Sequence, residues 1–189
     1  MPAIPAHVPR QARQKPLLIL GALAAFVLAL AACSTTTAPP QPVTAIAVDA
    51  GRAARLISSY RAANGLGPVT VDSRLMQVAR DYARVMGERD TIKHGLGGSL
   101  PRRVGAVGYD WAFLAENLAA GYATIGDAMQ GWKDSRGHNK NLLSPQAREI
   151  GIAAVATPAG SDHRNYWALV LGAPPRSDRL VAGPFGGRR

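Results

Sequence analysis

Ala53, Leu56, Ile57 and Tyr60 recur at the three- and four-residue spacing of one helical face. That run stops at "NGLG", Asn64 to Gly67, where asparagine and glycine end a helix. Asp72 or Ser73 is placed to cap a second helix, with Leu75, Ala79, Tyr82, Ala83 and Met86 as its apolar stripe. Ser99 can cap a short third helix that turns Leu100, Val104 and Val107 inward and closes at Gly108. Thr124 with Asp127 three residues on resembles a capping box, and the helix it starts carries Ile125, Ala128, Met129 and Trp132 on one face. The period then changes. "EIGIAAVAT" (149–157) and "YWALVLG" (166–172) are short apolar runs separated by a Pro/Gly/Ser/Asp turn region, 158–165. They read as paired strands, antiparallel to each other. Helices first and a hairpin last predict an α+β domain over 49–173. That length buries a sufficient core without disulfides or metal.

Before the periodic region the pattern is of another kind. Arg10, Arg13 and Lys15 make a basic start, and Leu17 to Ala32 is an uncharged, almost wholly apolar run. The run is short for a spanning helix, which needs about 20 residues. Basic start, apolar core and small residues before a cut describe a signal peptide over 1–32. It ends in "LAAC", and a cysteine directly after Leu-Ala-Ala resembles the bacterial lipobox, so Cys33 is the expected lipidation site. An uncleaved anchor, or an ordinary secretory signal with an incidental cysteine, are the plainer alternatives. All three place the rest of the chain outside the cytoplasm. Ser34 follows Cys33, and in a Gram-negative lipoprotein a residue other than aspartate there permits delivery to the outer membrane. Residues 33–48 are rich in Ser, Thr, Pro and Ala with no charge before Asp49, the composition of a flexible tether. Residues 174–189 read as a loose basic tail.

Composition narrows the function classes. The 189 residues carry a formal charge of +10 and a single cysteine, Cys33. No intramolecular disulfide and no cysteine-based zinc site can form. Cleavage of the signal removes three basic residues and no acidic one. Nucleic acid is a poor partner for an exported lipoprotein, and the basic surface suits anionic lipid or an envelope polymer.

Four histidines occur. His7 lies in the signal region, and His163 falls in the hairpin turn as a solvated residue. His94, in "KHGLGG", and His138, in "RGHNKN", each follow a predicted helix, and Glu116, in "ENLAAG", sits in a third connection. Two imidazoles and one carboxylate are a metal set, with zinc the natural example, and they also suffice for general acid–base work. Each has a plainer use. His94 can be a solvated loop residue, His138 a turn residue bonded to local backbone, and Glu116 a carboxylate that fixes its own loop. Asn117 and Asn141 suit a structural role, tying turns to neighbouring backbone. Ser135 lacks the strained setting of a nucleophile, and Trp111, Trp132 and Trp167 suit a core.

Taken in order, "YRAANGLGPVTVDSRLMQVARDYARVM", His94, "VGYDWAFLAENLAAG", "GWKDSRGHNKNLLSP", "REIGIAA" and "YWALVLG" resemble the CAP superfamily of cysteine-rich secretory, antigen 5 and pathogenesis-related proteins. The resemblance runs from Leu56 to Gly172 and is to the bacterial SCP-like extracellular branch. It implies a three-layer α-β-α sandwich around a small, mainly antiparallel sheet, with a cleft carrying a His/Glu tetrad. His94 matches the first histidine, Glu116 the glutamate of the E-N-[LI] motif and His138 the histidine of the G-H motif. A second glutamate, three residues after Trp132 in eukaryotic members, is Ser135 here, with Asp134 beside it. Members have been connected with lipid or sterol binding, divalent-metal binding and, less securely, proteolysis. A shared fold does not fix activity.

These readings converge on an envelope lipoprotein whose cleft binds a lipid, peptide or wall fragment without catalysis. His94, Glu116 and His138 would contact the ligand or hold a divalent metal. The alternatives are a metal-dependent hydrolase or peptidase, and a purely structural role in which the polar set holds loops together.

Overall fold

The computed structural model describes residues 39–176. The expected signal peptide, Cys33 and the tail beyond Arg176 lie outside the described residues.

Local capping sets the helices. Asp49 accepts the N–H of Arg52 at 2.8 Å and starts α1, Ala50–Ala62. Asp72 accepts from Arg74 and Leu75, at 2.8 and 3.1 Å, and starts α2, Ser73–Glu88. Ser99 caps α3, Leu100–Ala106, and the Thr124/Asp127 capping box forms as expected before α4, Ile125–Asp134. One helix was not foreseen. Arg136–Leu142 continues from α4 as α5, so "RGHNKN" is helical.

Five strands make one sheet: β1 Thr44–Ile46, β2 Thr70–Val71, β3 Phe113–Ala120, β4 Glu149–Ala156 and β5 Asn165–Ala173. The order is β1-β4-β5-β3, all antiparallel, and β2 pairs parallel with the other end of β4. The predicted hairpin is β4–β5, with Ile150 opposite Leu171 and Ala154 opposite Trp167.

Side-chain alternation divides the core in two. Ala115 and Ala119 of β3, Ile150 and Ile152 of β4, and Trp167, Leu169 and Leu171 of β5 pack on α1, α4 and α5. Leu118, Ala153, Val155, Tyr166, Ala168 and Val170 face α2 and α3. The result is the three-layer sandwich, with the stripe Leu75, Ala79, Tyr82, Ala83 and Met86 buried as expected. Trp132 and Trp167 are core, whereas Trp111 is exposed and lies over Gly105 of α3.

Two further expectations do not hold. The stretch read as a tether is bound to the domain from Gln41 onward. Gln41 donates its backbone N–H to Glu88 O at 2.9 Å and its side-chain amide to Gly87 O at 2.7 Å. β1 then covers the edge of β4. The uncharged composition hid a short strand, whose β-branched Thr44 and Ile46 suit an edge position. His163 is half-buried rather than solvated, with its ring edge-on to Tyr166 at 5.7 Å.

α2 lies so close to the sheet that a Cβ at Gly151 would overlap the Leu75–Met76 peptide. Backbone cannot yield as a side-chain tip does. Gly151→Ala is therefore expected to cost about 3 kcal/mol in urea unfolding. A loss below about 1 kcal/mol would mean that α2 slides freely on β4.

Candidate functional site

Glu116 was expected in a connection but lies within β3, opposite Val170 of β5. Its side chain, 5% exposed, faces the α2/α3 layer. A carboxylate taken so far from water needs donors for both oxygens, and both have one. Oε1 meets Nδ1 of His94 at 2.8 Å, and Oε2 accepts from Nη2 of Arg103 at 2.7 Å. An ionised carboxylate only accepts, so Nδ1 of His94 carries the shared proton. In the neutral ring the lone pair is then on Nε2. The His94 side chain is 62% exposed, so that nitrogen is the open end of the pair.

Arg103 comes from α3, and three contacts fix its guanidinium. Its carbon lies 3.6 Å from the centroid of the Tyr82 ring, Nε donates to Gly98 O at 3.3 Å, and Nη2 holds Glu116. Nη1 is buried with no hydrogen-bond partner among the described residues. Tyr82, on α2, also holds the loop that presents His94: its hydroxyl donates to Lys93 O at 2.6 Å and accepts from Leu96 N at 3.0 Å. Burial pushes the Tyr82 hydroxyl up from its ordinary range, so it remains a donor. His94, Gly95, Ser99, Leu100, Arg103 and Glu116 line a recess of about 420 Å³. A larger groove of about 460 Å³ between β1, β4 and α2 holds none of the candidate residues.

His138 belongs to the other layer. It sits inside α5 rather than beyond a helix end, and its backbone carbonyl accepts from Asn117 Nδ2 at 3.0 Å. Asn117 follows Glu116 in β3 and so points to the opposite face. Asn141 Nδ2 reaches both Asn117 Oδ1, at 2.8 Å, and Glu116 O, at 3.3 Å. The two asparagines thus dock α5 on β3, from a strand and a helix rather than from loops. Ser135 starts α5 without a side-chain cap, and Asp134 accepts from Gln130 at 2.9 Å on its own helix.

Burial, followed by the charge of His94, holds the His138 imidazole below its ordinary pKa of 6.5. A base depressed in the folded state binds more protons when unfolded, so stability rises with pH across this window. Stability is expected to fall as pH drops from 6.5 through the folded value. His138→Gln should flatten that part of a pH series of thermal melts. An unchanged slope would remove His138 as its source.

The expected metal triad does not converge. Among the described residues no three His, Cys, Asp or Glu side chains form a group able to hold a metal ion. Glu116 is committed to a cation already, and His94 and His138 supply two nitrogens where a zinc site uses three or four protein ligands. Sequence reading missed Arg103 and the second use of Tyr82. The signal was present: Arg103 stands three residues after Leu100, on the inward stripe of α3, where a charge needs a buried partner.

The same arrangement of helices and sheet occurs in known proteins. YkwD, an uncharacterised protein of Bacillus subtilis (strain 168), is 29% identical over 124 residues, covering 65% of this chain and 47% of the relative. The chain therefore spans about half the length of that relative. An outer surface protein of Borrelia burgdorferi superposes with a TM-score of 0.61 at 25% identity, over 70% of this chain and 99% of that one. An extracellular SCP-domain protein of Bacillus anthracis gives 0.56 at 22% identity, over 65% of this chain and 39% of that one, and shares the fold. Among the described residues no helix is long and apolar enough to cross a membrane. The model of the family named CAP, cysteine-rich secretory protein, matches residues 54–171, and this chain belongs to that family.

Proposed function

We propose that this protein is a cell-envelope lipoprotein whose CAP domain is a non-enzymatic binding module for a lipid, peptide or wall fragment. One observation carries the reading. Both oxygens of Glu116 are engaged, by His94 and Arg103, and Ser135 stands where a second carboxylate would be. A mechanism that uses a carboxylate as its acid or base needs one free to exchange a proton with substrate. Here the carboxylate orients His94 and neutralises Arg103 instead. The exposed Nε2 of His94 then offers one hydrogen bond to a ligand in the recess. Lipidation at Cys33 would present the domain from a membrane, and multiple acyl chains, at roughly 0.8 kcal/mol per buried methylene, anchor stably. The extracellular and outer-surface relatives support an exported location.

The test uses the full chain with two probes, soluble peptidoglycan fragments and phosphatidylglycerol micelles. One of them should bind in calorimetry, and His94→Ala should weaken it at least tenfold while thermal melts show that the domain is still folded. Binding of neither probe, or cleavage of casein that is lost in His94→Ala, would overturn the reading.

A further inference from the structure

We infer that the Arg103 guanidinium is the resident cation of this cleft, held on Glu116 where a divalent metal would bind, and that removing it uncovers a metal site on Glu116 and His94. Nη2 lies 2.7 Å from Oε2 of Glu116, so a metal on that oxygen would sit against a positive charge. The arginine cannot readily step aside. Its face is stacked on Tyr82, its Nε is tied to Gly98 O, and its side chain is only 14% exposed. Nor does pH displace it, since a guanidinium stays protonated throughout the working range of a protein. A histidine in the same place could lose its proton and yield to a metal.

The second obstacle is direction. His94 turns Nδ1 toward Oε1 of Glu116, which leaves its available lone pair on Nε2, at the far side of the ring. The donor atoms therefore diverge, and Arg103 and Glu116 together make a closed neutral pair. With Arg103 gone, Oε2 is freed and the carboxylate is left without its compensating guanidinium. A tautomer shift of the neutral ring, in which Nδ1 gives its proton to water and Nε2 takes one up, then lets Nδ1 of His94 and Glu116 face one ion, with water completing its shell. The inference goes beyond the binding reading, because it holds whatever organic ligand the recess takes.

The experiment titrates zinc into full-length wild type, Glu116→Gln, Arg103→Lys, Arg103→Gln and Arg103→Gln/Glu116→Gln, with cobalt absorption as a second readout. Wild type and Arg103→Lys should bind zinc within threefold of Glu116→Gln. Arg103→Gln should bind at least tenfold more tightly, with a visible cobalt band, and the added Glu116→Gln should abolish the gain. Wild type binding one zinc tenfold more tightly than Glu116→Gln would overturn the inference. So would a folded Arg103→Gln with no gain. Should that variant fail to fold, Arg103→Met, which keeps the apolar contact with Tyr82, repeats the second arm. The wild-type comparison decides the first arm without either.

Discussion

Arg61→Met is expected to destabilise the domain by about 4 kcal/mol, through orphaned backbone carbonyls rather than a lost ion pair. Arg61 is 0% exposed on the inward side of α1. Nε donates to Gly67 O at 2.8 Å, Nη1 to Leu142 O at 2.7 Å and Ser144 O at 2.9 Å, and Nη2 to Ala147 O at 3.1 Å. One guanidinium thus joins the end of α1, the loop after it and the segment from α5 to β4. Leu142 ends α5, so its carbonyl has no partner within the helix. Burial and then the charge of Arg148 hold the Arg61 pKa below its ordinary value, which is the signature of a cation without a carboxylate. Methionine relieves that desolvation but strands up to four acceptors, each worth about 1–3 kcal/mol when left buried and unpaired. The relief and partial wetting keep the net loss near the lower sum. For a domain of this size it should lower Tm by roughly 10 °C. Arg61→Lys keeps the charge but cannot span four carbonyls, and should fall between. A methionine variant within about 1 kcal/mol of wild type in urea unfolding would show that water replaces the guanidinium without cost.

Arg61 and Arg103 also mark where sequence reading stopped. The helices were legible because their stripes and caps are local: Asp72, Ser99 and the Thr124/Asp127 pair each signal a start within four residues. The β4–β5 hairpin was legible for the same reason. What a strand pairs with, and which layer a polar side chain enters, depend on contacts distant in sequence. β1 was missed because its partner, Ala154–Ala156, is more than one hundred residues away. Glu116 was placed in a connection because β3 is an edge strand of mostly small residues, so "ENLAAG" lacks a strong β signature. Yet both arginines break an otherwise apolar stripe, Arg61 four residues after Ile57 and Arg103 three after Leu100. Such a charge predicts a buried partner, though not which one. His94 and Glu116 do meet, at 2.8 Å, where the family resemblance implied one cleft shared by His94, Glu116 and His138. That His138 enters from the opposite layer follows only from the parity of β3.

Glu116→Ala should cost about 3–4 kcal/mol, most of it recovered when Arg103→Met is added. Removing the carboxylate leaves a guanidinium with little access to water and no opposite charge, the situation in which breaking a buried pair costs about 3–5 kcal/mol. Removing both partners leaves a cavity and an apolar side chain stacked on Tyr82, which is far less costly. The double variant should therefore lie within about 1–2 kcal/mol of wild type, and a double-mutant cycle should return a coupling of at least about 2 kcal/mol. Glu116→Gln separates geometry from charge. Its amide oxygen can still accept from Arg103, and its NH₂ can donate to Nδ1 of His94 once that ring adopts the other tautomer. Both hydrogen bonds survive while the charge is lost, so its cost should be about half that of alanine. The reversed tautomer moves the His94 proton to Nε2, which nitrogen-15 NMR of the imidazole reads directly. If Glu116→Ala and Arg103→Met simply add, the two side chains are neighbours without being a pair. The tautomer of His94 would then owe nothing to Arg103 holding the carboxylate in place.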